Sequence, residues 1–584
     1  MSVDCLIIGY NDENFQEQVT MLRAMGTSHP NFRDLNLNFI EYEGRAYRAM
    51  DIFDRFHHEG RPTTGQRRFH NAEVLWMVIM YLGTYLQKRG FTFDYVNLFQ
   101  LQKDELREKL TRNEYLTTVV TSTIYNDDSP ICEVVNFVRE YNKKTKIIVG
   151  GPYIAKRSES MEAEDVDALF RYIGADFYVR SREGEQALVQ LLRALKLGTP
   201  LDEIANIGFK RGGRYVLTQP RPERNVLQEH AIDYSLFPRQ TVGDYVNIRI
   251  TKGCPFRCAF CSFPLRTDKY NVSELAAIAA ELDDIKKIGS VTGLFFVDDT
   301  VNVPLPTFKG MMRLMIERNY GYNWHCFFRA DFCDEETVEL MARAGCQGVF
   351  LGLESANDTL LENMHKTARK EHYRRVIPMF KAAGISVFAS FFFGFPGETA
   401  DTAQETMDFL EETTPDFYRA LVWYCDPVTP IWKERKKYDL KGYHFSWSHK
   451  TMNVDTACDL MERCFLTFDT PCWVPDPGFN FVSLYLLHNR GVSFPQIKEF
   501  LKCFNAVVRE KVIDPGRAAT PSPYLIENLR RAAQYDRPRS TVRIDADVAL
   551  SGDAGGSEVP LVAAPAYEPL GKPAKAAETH GVSS

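Results

Sequence analysis

Three closely spaced cysteines are the residues of this sequence best suited to chemistry. Cys254, Cys258 and Cys261 form the pattern CxxxCxxC in a loop that begins at Gly253 and follows an apolar run. Thiolates are the preferred ligands of iron–sulfur clusters and of zinc. Zinc normally needs a fourth ligand, and no Cys or His stands within the next few positions. Three thiolates can instead hold three corners of a cubane cluster and leave its fourth iron open to a substrate or cofactor.

The composition is that of a folded protein with several domains. The chain has 584 residues, a formal net charge of −7, 45% apolar residues and 25% charged residues. At about 150 residues per domain, this length predicts roughly three to four domains. Collagen-like, disulfide-scaffold and fully disordered classes are excluded. A nucleic-acid partner is disfavoured, because the chain has no excess of Lys and Arg to neutralise phosphates.

The sequence also favours a reducing compartment away from membranes. The most apolar stretch, Val74–Leu86, is too short for a membrane span and predicts a buried helix. Asp4 stands where a signal peptide has a basic region, so we expect a cytoplasmic protein. Five widely spaced cysteines are expected to be separate buried or partly buried thiols, with an auxiliary cluster as the alternative. They are Cys425, Cys458, Cys464, Cys472 and Cys503.

The first 200 residues predict an α/β domain. Short apolar runs alternate with amphipathic stretches, which is typical of a doubly wound parallel sheet. The polar stretch at about 26–70 interrupts this alternation and is interpreted as an insertion. Residues 201–240 are rich in Pro and Arg and are interpreted as a connector.

The alternation resumes over residues 241–440 and predicts a partial or complete β/α barrel. Residues 441–536 are expected to be mainly helical. Residues 537–584 are rich in Ala, Pro, Gly and Ser and are expected to form a disordered tail. The predicted barrel strands are Val246–Ile250, Leu294–Val297, Trp324–Phe328, Gly348–Leu351, Val387–Phe392 and Phe417–Val422.

The cysteine pattern, with the aromatic Phe260 before its last cysteine, resembles the hallmark of the radical S-adenosylmethionine (SAM) superfamily. Further matches follow the predicted barrel strands, at the ends where barrels present functional residues. The matching segments are Val297-Asp298-Asp299, Phe328-Arg329-Ala330-Asp331, Gly352-Leu353-Glu354-Ser355 and Phe393-Gly394-Phe395-Pro396-Gly397-Glu398.

The resemblance implies a role for each of these matches. The open iron would chelate SAM, Glu354 would hold its ribose hydroxyls, and Arg329 its carboxylate region. The turn from Gly394 to Pro396 would hold the adenine. The remaining matches expected beside the cofactors are Phe260, Asp298, Asp299 and Ser355. Taken singly, such residues are more often turns, helix caps or surface ion pairs.

The first domain lacks GxGxxG after its first strand, which disfavours a dinucleotide site. Its predicted strands instead end in Thr121-Ser122-Thr123, Gly150-Gly151-Pro152 and Glu183-Gly184-Glu185. Paired glycines let the backbone approach a flat ligand, and hydroxyls can bind amides and phosphate. These features, placed before the barrel, resemble the cobalamin-binding domain of class B radical SAM enzymes. The alternative is a plain doubly wound domain with ordinary turns.

The lower ligand of the cobalt stays open. The stretch from Asp54 to Gly60 resembles Asp-x-His-x-x-Gly but has the wrong spacing, so His57 and His58 are expected to be solvated. The candidates by position are Asn11 and Asp12, and Tyr10 is expected beside the cofactor with them. The aromatic stretch Tyr443–His449 is either part of a substrate pocket or, more often for such stretches, core packing.

The opening residues, the segment Asn247–Pro264 and the helical C-terminal part resemble the P-methylase family of phosphinate antibiotic biosynthesis. The resemblance implies that a reduced 4Fe–4S cluster cleaves SAM to methionine and a 5′-deoxyadenosyl radical. This radical would take hydrogen from a small-molecule or carrier-bound substrate, and methylcobalamin would supply a methyl group to carbon or phosphorus. Flavodoxin or ferredoxin would supply the electron. No catalytic side chain is assigned.

Other functions remain open at this point. A cobalamin-dependent cyclase or rearrangement enzyme without methyl transfer is the main alternative, and product mass would distinguish it. A tRNA methylthiotransferase is disfavoured, because the N-terminal region has only Cys5 and Cys132 and the chain is acidic. A non-enzymatic cluster or cobalamin sensor would form no 5′-deoxyadenosine under reduction.

Replacement of one motif cysteine tests the cluster assignment. We expect Cys258→Ala to abolish the cluster and all turnover, because two thiolates cannot hold a cubane. Iron per chain and 5′-deoxyadenosine formation are the measurements. Near-full iron content together with retained activity in the variant would contradict the assignment.

Overall fold

The computed structural model describes residues 2–59, 69–223, 225–263 and 269–534. No helix within these ranges is long and apolar enough to cross a membrane. The expected fold class is confirmed: a parallel α/β domain precedes a second parallel sheet with flanking helices and a helical C-terminal region. The predicted tail at 537–584 lies outside the described residues.

The first domain is built around a seven-stranded sheet in the order β4-β1-β5-β6-β7-β8-β9. Its first five strands are parallel, while β8 and β9 add antiparallel pairs at one edge. The strands up to residue 217 are β1 (Ser2–Tyr10), β2 (Phe39–Tyr42), β3 (Arg45–Arg48), β4 (Phe93–Leu98), β5 (Glu114–Thr121), β6 (Lys146–Gly150), β7 (Phe177–Val179), β8 (Ile207–Arg211) and β9 (Arg214–Leu217). The sheet therefore continues into the region expected to be a connector.

Helices cover both faces of this sheet, as a parallel sheet requires. In β1, Leu6 and Ile8 pack into one hydrophobic cluster, while Cys5 and Ile7 pack into another on the opposite face. The helices of this part are α1 (Phe15–Ala24), α2 (Pro30–Asn36), α3 (Ala49–His58), α4 (Met77–Gln87), α5 (Lys103–Arg112), α6 (Ser129–Tyr141), α7 (Pro152–Ser160), α8 (Ala163–Ile173) and α9 (Glu185–Leu197).

The insertion folds where it is described, and it packs between the first domain and the C-terminal helices. Helices α2 and α3 and the hairpin β2–β3 contact the helical C-terminal region. The expectation of solvated histidines is wrong. His57 is buried, with Nδ1 3.2 Å from the Ala533 carbonyl oxygen, and His58 is mostly covered and lies 3.3 Å from the carboxylate of Asp54.

The second sheet has seven parallel strands in the order β10-β13-β14-β15-β16-β17-β20, which makes an open, partial barrel. All six predicted barrel strands are confirmed, and the short β20 adds a seventh that periodicity missed. The strands of this half include two short antiparallel pairs outside the sheet, β11–β12 and β18–β19. In chain order they are β10 (Tyr245–Ile248), β11 (Thr251–Lys252), β12 (Asn271–Val272), β13 (Gly293–Phe296), β14 (Asn323–Phe328), β15 (Cys346–Glu354), β16 (Ser386–Phe393), β17 (Phe417–Val422), β18 (Ser448–His449), β19 (Met452–Asn453) and β20 (Cys472–Trp473).

Helices flank this sheet and then form the C-terminal region. They are α10 (Arg239–Val242), α11 (Leu275–Ile288), α12 (Leu305–Glu317), α13 (Glu335–Arg343), α14 (Asp358–Asn363), α15 (Lys370–Ala382), α16 (Ala400–Thr413), α17 (Val454–Thr467), α18 (Phe481–Asn489), α19 (Phe494–Ile513) and α20 (Pro523–Ala533). Of the five scattered cysteines, Cys503 is half-buried and the other four are buried, and none forms a disulfide within the described residues.

Helix α18 fills the interior of the partial barrel. The ring of Phe481 lies 5.4 Å from Phe350 on β15 and 5.6 Å from Phe388 on β16, centroid to centroid. Tyr485 stacks on His325 of β14 at 4.1 Å. Such aromatic pairs stabilise a core beyond their buried area. The interior of the sheet is therefore a packed core, and open space is left at the strand ends.

Substitution of Gly348 tests this packing. A Cβ there would overlap the Tyr485 hydroxyl, so Gly348→Ala should lower the free energy of unfolding by about 1–3 kcal/mol. Tyr485→Leu removes the overlapping ring and should cost stability by itself. Because the overlap then disappears, the double variant should lose less than the sum of the two single losses in urea titrations. Additive losses would contradict this explanation.

Candidate functional site

The cysteine loop lies between β11 and β12 and is held by the barrel on two sides. The backbone N–H of Ala259 donates to the Met364 carbonyl oxygen at 2.8 Å, and the N–H of Ile431 donates to the Ala259 carbonyl oxygen at 2.9 Å. Two sulfurs have polar neighbours of their own. Cys254 Sγ lies 3.3 Å from Thr300 Oγ1, and Cys261 Sγ accepts a hydrogen bond of 3.4 Å from the N–H of Phe263.

Burial keeps two of the three thiols protonated in the absence of a metal. It raises the pKa of Cys258, and it raises the pKa of Cys261 to about 12, so a bound metal would have to displace their protons. Within the described residues, no three His, Cys, Asp or Glu side chains form a ready-made site for a single ion.

Asp298 positions the start of the cysteine loop. It follows β13, is 1% exposed, and its Oδ1 accepts hydrogen bonds from the N–H groups of Ile250 (3.0 Å) and Thr251. Burial raises its pKa to about 7. One carboxylate oxygen of Asp298, a predicted cofactor-binding residue, is therefore occupied by backbone N–H groups. Asp298 and Asp299 also line a cavity described below.

Arg329 lies against the cysteine loop. Its guanidinium carbon is 3.6 Å from the centroid of the Phe256 ring, and its Nη2 donates to Asp331 at 2.8 Å and to Thr367 at 2.6 Å. Asn302 accepts a 3.1 Å hydrogen bond from the backbone N–H of Arg329. These contacts hold a cation beside Cys258.

Glu354 ends β15 with a left-handed backbone (φ 62°) and lines a large cavity. Its Oε1 accepts a 3.1 Å hydrogen bond from Lys366, whose side chain is 7% exposed. A Cβ at Gly352 would lie 2.5 Å from the same oxygen, so the glycine leaves room for this pair. Lys366 was not predicted from the sequence, because no motif around it indicates that it pairs with Glu354. Ser355 is buried and caps the next turn, with its Oγ accepting from the N–H of Asn357.

The turn from Gly394 to Pro396 is held from behind by the aromatic stretch. Trp447 packs on Gly394, whose φ is 100°, and His449 Nε2 lies 3.0 Å from the Gly394 carbonyl oxygen. The N–H of Gly394 donates to Glu398, which is 1% exposed. Trp447 and His449 are thus buried residues, which agrees with the core-packing interpretation of that stretch.

A cavity of about 820 Å³ opens at the carboxyl ends of β15, β16 and β17. It is lined by Phe260 and Phe263 of the cysteine loop, by Glu354, and by Thr123 of the first domain. Much of its remaining wall is aromatic, contributed by Tyr125, Tyr153, Phe392, Trp423, Tyr424 and Trp432. We call this space the barrel cavity.

A second cavity of about 420 Å³, the interdomain cavity, lies between the two sheets. Predicted residues from three strand ends of the first domain form one wall: Thr123, Gly150, Gly151, Pro152, Glu183, Gly184 and Glu185. The opposite wall comes from the barrel, with Asn247, Arg249, Thr251, Lys252, Gly253, Asp298 and Asp299. Both cavities share Thr123, Pro152, Arg182 and Phe263, so they adjoin.

The glycines of the first wall leave a cradle. Gly151 has φ 116°, and a Cβ there would lie 2.9 Å from Ser122 Oγ. Gly184 has φ 87°, with Val179 Cγ1 3.0 Å from a built Cβ. Any other residue would strain the backbone there and would collide with these neighbouring residues, so bare backbone forms this part of the wall. Ser122 does not line either cavity; its hydroxyl donates to the Gly150 carbonyl oxygen at 2.9 Å and supports the cradle.

Buried charges surround the interdomain cavity. Lys252 Nζ lies 3.2 Å from Glu183 Oε1, and the two side chains are 6% and 7% exposed. Glu185 accepts a 2.8 Å hydrogen bond from Tyr81 Oη, and burial raises the pKa of Glu185 to about 7. The sequence analysis missed Tyr81, Arg249 and Lys252, because they gain significance only where the two domains meet.

Tyr10, Asn11 and Asp12 do not line either cavity. The amide of Asn11 is satisfied within the first domain, where it donates to Glu133 at 2.7 Å and accepts from Gln100 at 2.7 Å. Asp12 pairs with Arg48 at 3.2 Å. Their proposed place near the cobalt gains no support from these contacts.

Comparison with known families agrees with the geometry of the cysteine loop. Residues 248–410 match the family model of the Radical SAM superfamily. They form a radical SAM domain. This range includes all three cysteines and Glu354, with the turn at Gly394.

Relatives that match more than half of the chain differ in their named activities. An uncharacterised methyltransferase of Pyrococcus horikoshii is 25% identical over 324 residues, covering 54% of this chain and 68% of the relative. The anaerobic magnesium-protoporphyrin IX monomethyl ester cyclase of Rubrivivax gelatinosus is 24% identical over 430 residues, covering 68% and 72%.

A solved structure extends the likeness beyond the radical SAM domain. The radical SAM methyltransferase TsrM from Kitasatospora setae, with cobalamin and a [4Fe-4S] cluster bound, superposes with a TM-score of 0.52. It is 20% identical, and the match covers 62% of this chain and 72% of TsrM. At this identity the likeness shows a shared fold.

The stability of the protein should depend on pH through Glu398, whose carboxyl group accepts a hydrogen bond from the N–H of Gly394. Burial raises the pKa of Glu398 to about 8, so its ionisation opposes folding increasingly from about pH 4.5 to pH 8. Glu398→Gln lacks this penalty and still offers an acceptor to Gly394. The stability of the variant relative to wild type should therefore rise between pH 5 and pH 8 and stay level above.

Urea denaturation at several pH values measures this difference. Glu412→Gln is the control, because Glu412 is exposed and its pKa is lowered by a hydrogen bond from Arg374. Its difference from wild type should stay constant over the same range. A constant difference for Glu398→Gln would show that this carboxyl group does not titrate there.

Proposed function

We propose that the chain is a cobalamin-dependent radical SAM methyltransferase. The observation that carries the proposal is the adjoining pair of cavities. The barrel cavity reaches the cysteine loop at Phe260 and the carboxylate of Glu354, and the interdomain cavity reaches the strand ends of the first domain. A group bound at those strand ends would lie next to one held by the radical SAM domain.

Cys254, Cys258 and Cys261 would hold a 4Fe–4S cluster, which supplies one electron for the cleavage of SAM. The chain tunes this site through the contacts of its sulfurs. The N–H of Phe263 and the hydroxyl of Thr300 lie within 3.4 Å of two sulfurs. Thr300 already donates its hydroxyl proton to the Asp299 carbonyl oxygen. Hydrogen bonds to cluster ligands and nearby cations raise the reduction potential, so the N–H of Phe263 and the guanidinium of Arg329 would ease reduction.

Glu354 and Arg329 would orient SAM. Lys366 holds the Glu354 carboxylate at the cavity wall, so the acceptor for two ribose hydroxyls is fixed before binding. Arg329 is fixed by Asp331 and Thr367 in the same way. Preorganised groups of this kind lower the entropy lost on binding.

The glycine cradle of the first domain would bind cobalamin. Gly151 and Gly184 present backbone without a side chain at this wall, and Thr123 adds a hydroxyl. Cobalamin supplies the methyl group when bound. The bound cobalamin of TsrM, which shares this fold, and the methyltransferase relative support this assignment.

The proposed acceptor is an unactivated carbon, or the phosphorus of a phosphinate, in a small natural-product intermediate that is free or carrier-bound. The resemblance to P-methylases supports phosphorus. The aromatic wall of the barrel cavity, with Trp423 and Tyr424, would exclude water from a radical. Flavodoxin or ferredoxin is the proposed electron donor.

A cobalamin-dependent cyclase or rearrangement enzyme without methyl transfer is the second candidate. The cyclase of Rubrivivax gelatinosus supports it, because that likeness covers 68% of this chain. Both candidates would use the same two cavities. They differ in whether SAM also supplies a methyl group to cobalamin or serves only as the source of the 5′-deoxyadenosyl radical.

Labelled SAM separates the two candidates without a known substrate. The protein is purified anaerobically with cobalamin and reconstituted with iron and sulfide. We expect about four irons and one cobalt per chain, and 5′-deoxyadenosine under reduction. With SAM labelled in its methyl group and reduced cobalamin, a methyltransferase should produce S-adenosylhomocysteine and transfer the label to the cobalamin.

The outcomes have distinct meanings. Cys258→Ala is the matched control and should form no 5′-deoxyadenosine. Retained cobalt with 5′-deoxyadenosine but no transfer of label would favour the cyclase. Four irons without cobalt would overturn the cobalamin assignment and leave the radical SAM chemistry in place.

A further inference from the structure

The barrel wall of the interdomain cavity holds an unusual group of polar atoms. Five of its buried side-chain atoms lack a hydrogen bond of good geometry within the described residues: Asn247 Oδ1, Arg249 Nε, Thr251 Oγ1, Lys252 Nζ and Asp298 Oδ2. Lys252 has only its ion pair with Glu183, and the carboxyl group of Asp298 lies close to the Thr251 hydroxyl. Glu183 Oε2, across from Lys252, is a sixth. Buried polar groups are nearly always hydrogen-bonded, so such a concentration in one cavity indicates a missing ligand.

These atoms are of mixed type. Arg249 and Lys252 offer donors, Asn247 and Glu183 offer acceptors, and a hydroxyl can serve as either. An anionic ligand such as a nucleotide phosphate would meet the carboxylates, and a cationic ligand would meet Lys252 and Arg249. A neutral ligand whose rim carries both C=O and N–H groups satisfies every one of these atoms. Primary amides have this property.

The opposite wall is apolar where the sheet faces the cavity. Val119, Ile148, Val179 and Leu188 line it, and each is at most 5% exposed. The cavity therefore offers an apolar face on the side of the first domain and a polar face on the side of the barrel. A flat, apolar ring with polar substituents along one edge matches this division.

We propose that the barrel face formed by Asn247, Arg249, Thr251 and Lys252 binds the primary amides along the edge of the corrin ring. This inference rests on the proposed cobalamin function. It assigns half of the corrin site to the strands that precede the cysteine loop. The same face would select an amide-bearing corrin over tetrapyrroles that carry carboxylates or esters at their rim.

Asn247→Leu tests the proposal with two corrinoid probes. Cobinamide lacks the nucleotide tail and keeps the amides, whereas heptamethyl cobyrinate carries esters that cannot donate. Wild-type protein should bind cobinamide at least tenfold more tightly than the ester, measured by visible titration. The variant should lose at least threefold of this preference, because Asn247 accepts from an amide N–H.

Thermal unfolding of the protein without corrinoid gives a second, independent readout. Because Asn247 Oδ1 is unpaired, its removal should leave the unfolding temperature unchanged or raise it. A purely structural residue would lower it. Asn505→Leu is the control. Asn505 lies on α19 away from both cavities; its Oδ1 is unpaired like that of Asn247, but its Nδ2 donates to the Trp473 carbonyl oxygen at 3.0 Å, and this hydrogen bond would be lost. The control substitution should lower the unfolding temperature and leave both affinities unchanged.

Thr251→Val replaces Asn247→Leu if the latter does not fold, and it should reduce the same preference. Unchanged preference in a folded variant overturns the amide proposal, as does a wild-type protein that binds cobalamin but not cobinamide. Both results leave the proposed function standing. A wild-type protein that binds no corrinoid refutes the proposed function itself.

Discussion

One buried carboxyl group connects the barrel to the loop on which its chemistry depends. Asp298 accepts hydrogen bonds from the N–H groups of Ile250 and Thr251, so the end of β13 determines where the chain leaves β10 and turns toward Cys254. Each buried N–H left without a partner would cost about 1–3 kcal/mol. Burial raises the pKa of Asp298 to about 7, which lessens the cost of an isolated charge near neutral pH. The path of the cysteine loop, and with it the position of the thiols, thus depends on two hydrogen bonds between backbone N–H groups and Asp298.

Features set by local patterns were predictable from the sequence. The six barrel strands follow from apolar runs between amphipathic stretches, and the cysteine loop follows from its spacing. Strand ends meet at one edge of a parallel sheet, which brings Gly151 and Gly184 to one wall of the interdomain cavity. The roles of single side chains were less predictable. Ser122 and Ser355 have the expected positions, yet each bonds to nearby backbone instead of facing a cavity.

Features set by distant segments could not be predicted. His57 looks like a surface residue in a polar stretch, but it is covered by α20, whose Ala533 lies 476 positions along the chain. Lys366 follows a helix without any motif, and only folding brings it to Glu354. The same holds for Lys252, whose partner Glu183 belongs to another domain. Sequence patterns describe one helix or strand at a time, whereas the environment of each of these residues is set by a second, distant element.

A cavity with walls from two domains needs those domains held in register. Ion pairs cross between them at several places: Lys156 of α7 pairs with Asp426 after β17, and Glu183 with Lys252 beside the interdomain cavity. Arg419 of β17 is 5% exposed and lies 3.1 Å from Asp34 of the insertion. Buried pairs add little net stability, but breaking one leaves an uncompensated charge, so they penalise any shifted arrangement. The insertion therefore contributes to the site without touching it, because it fixes the barrel against the first sheet.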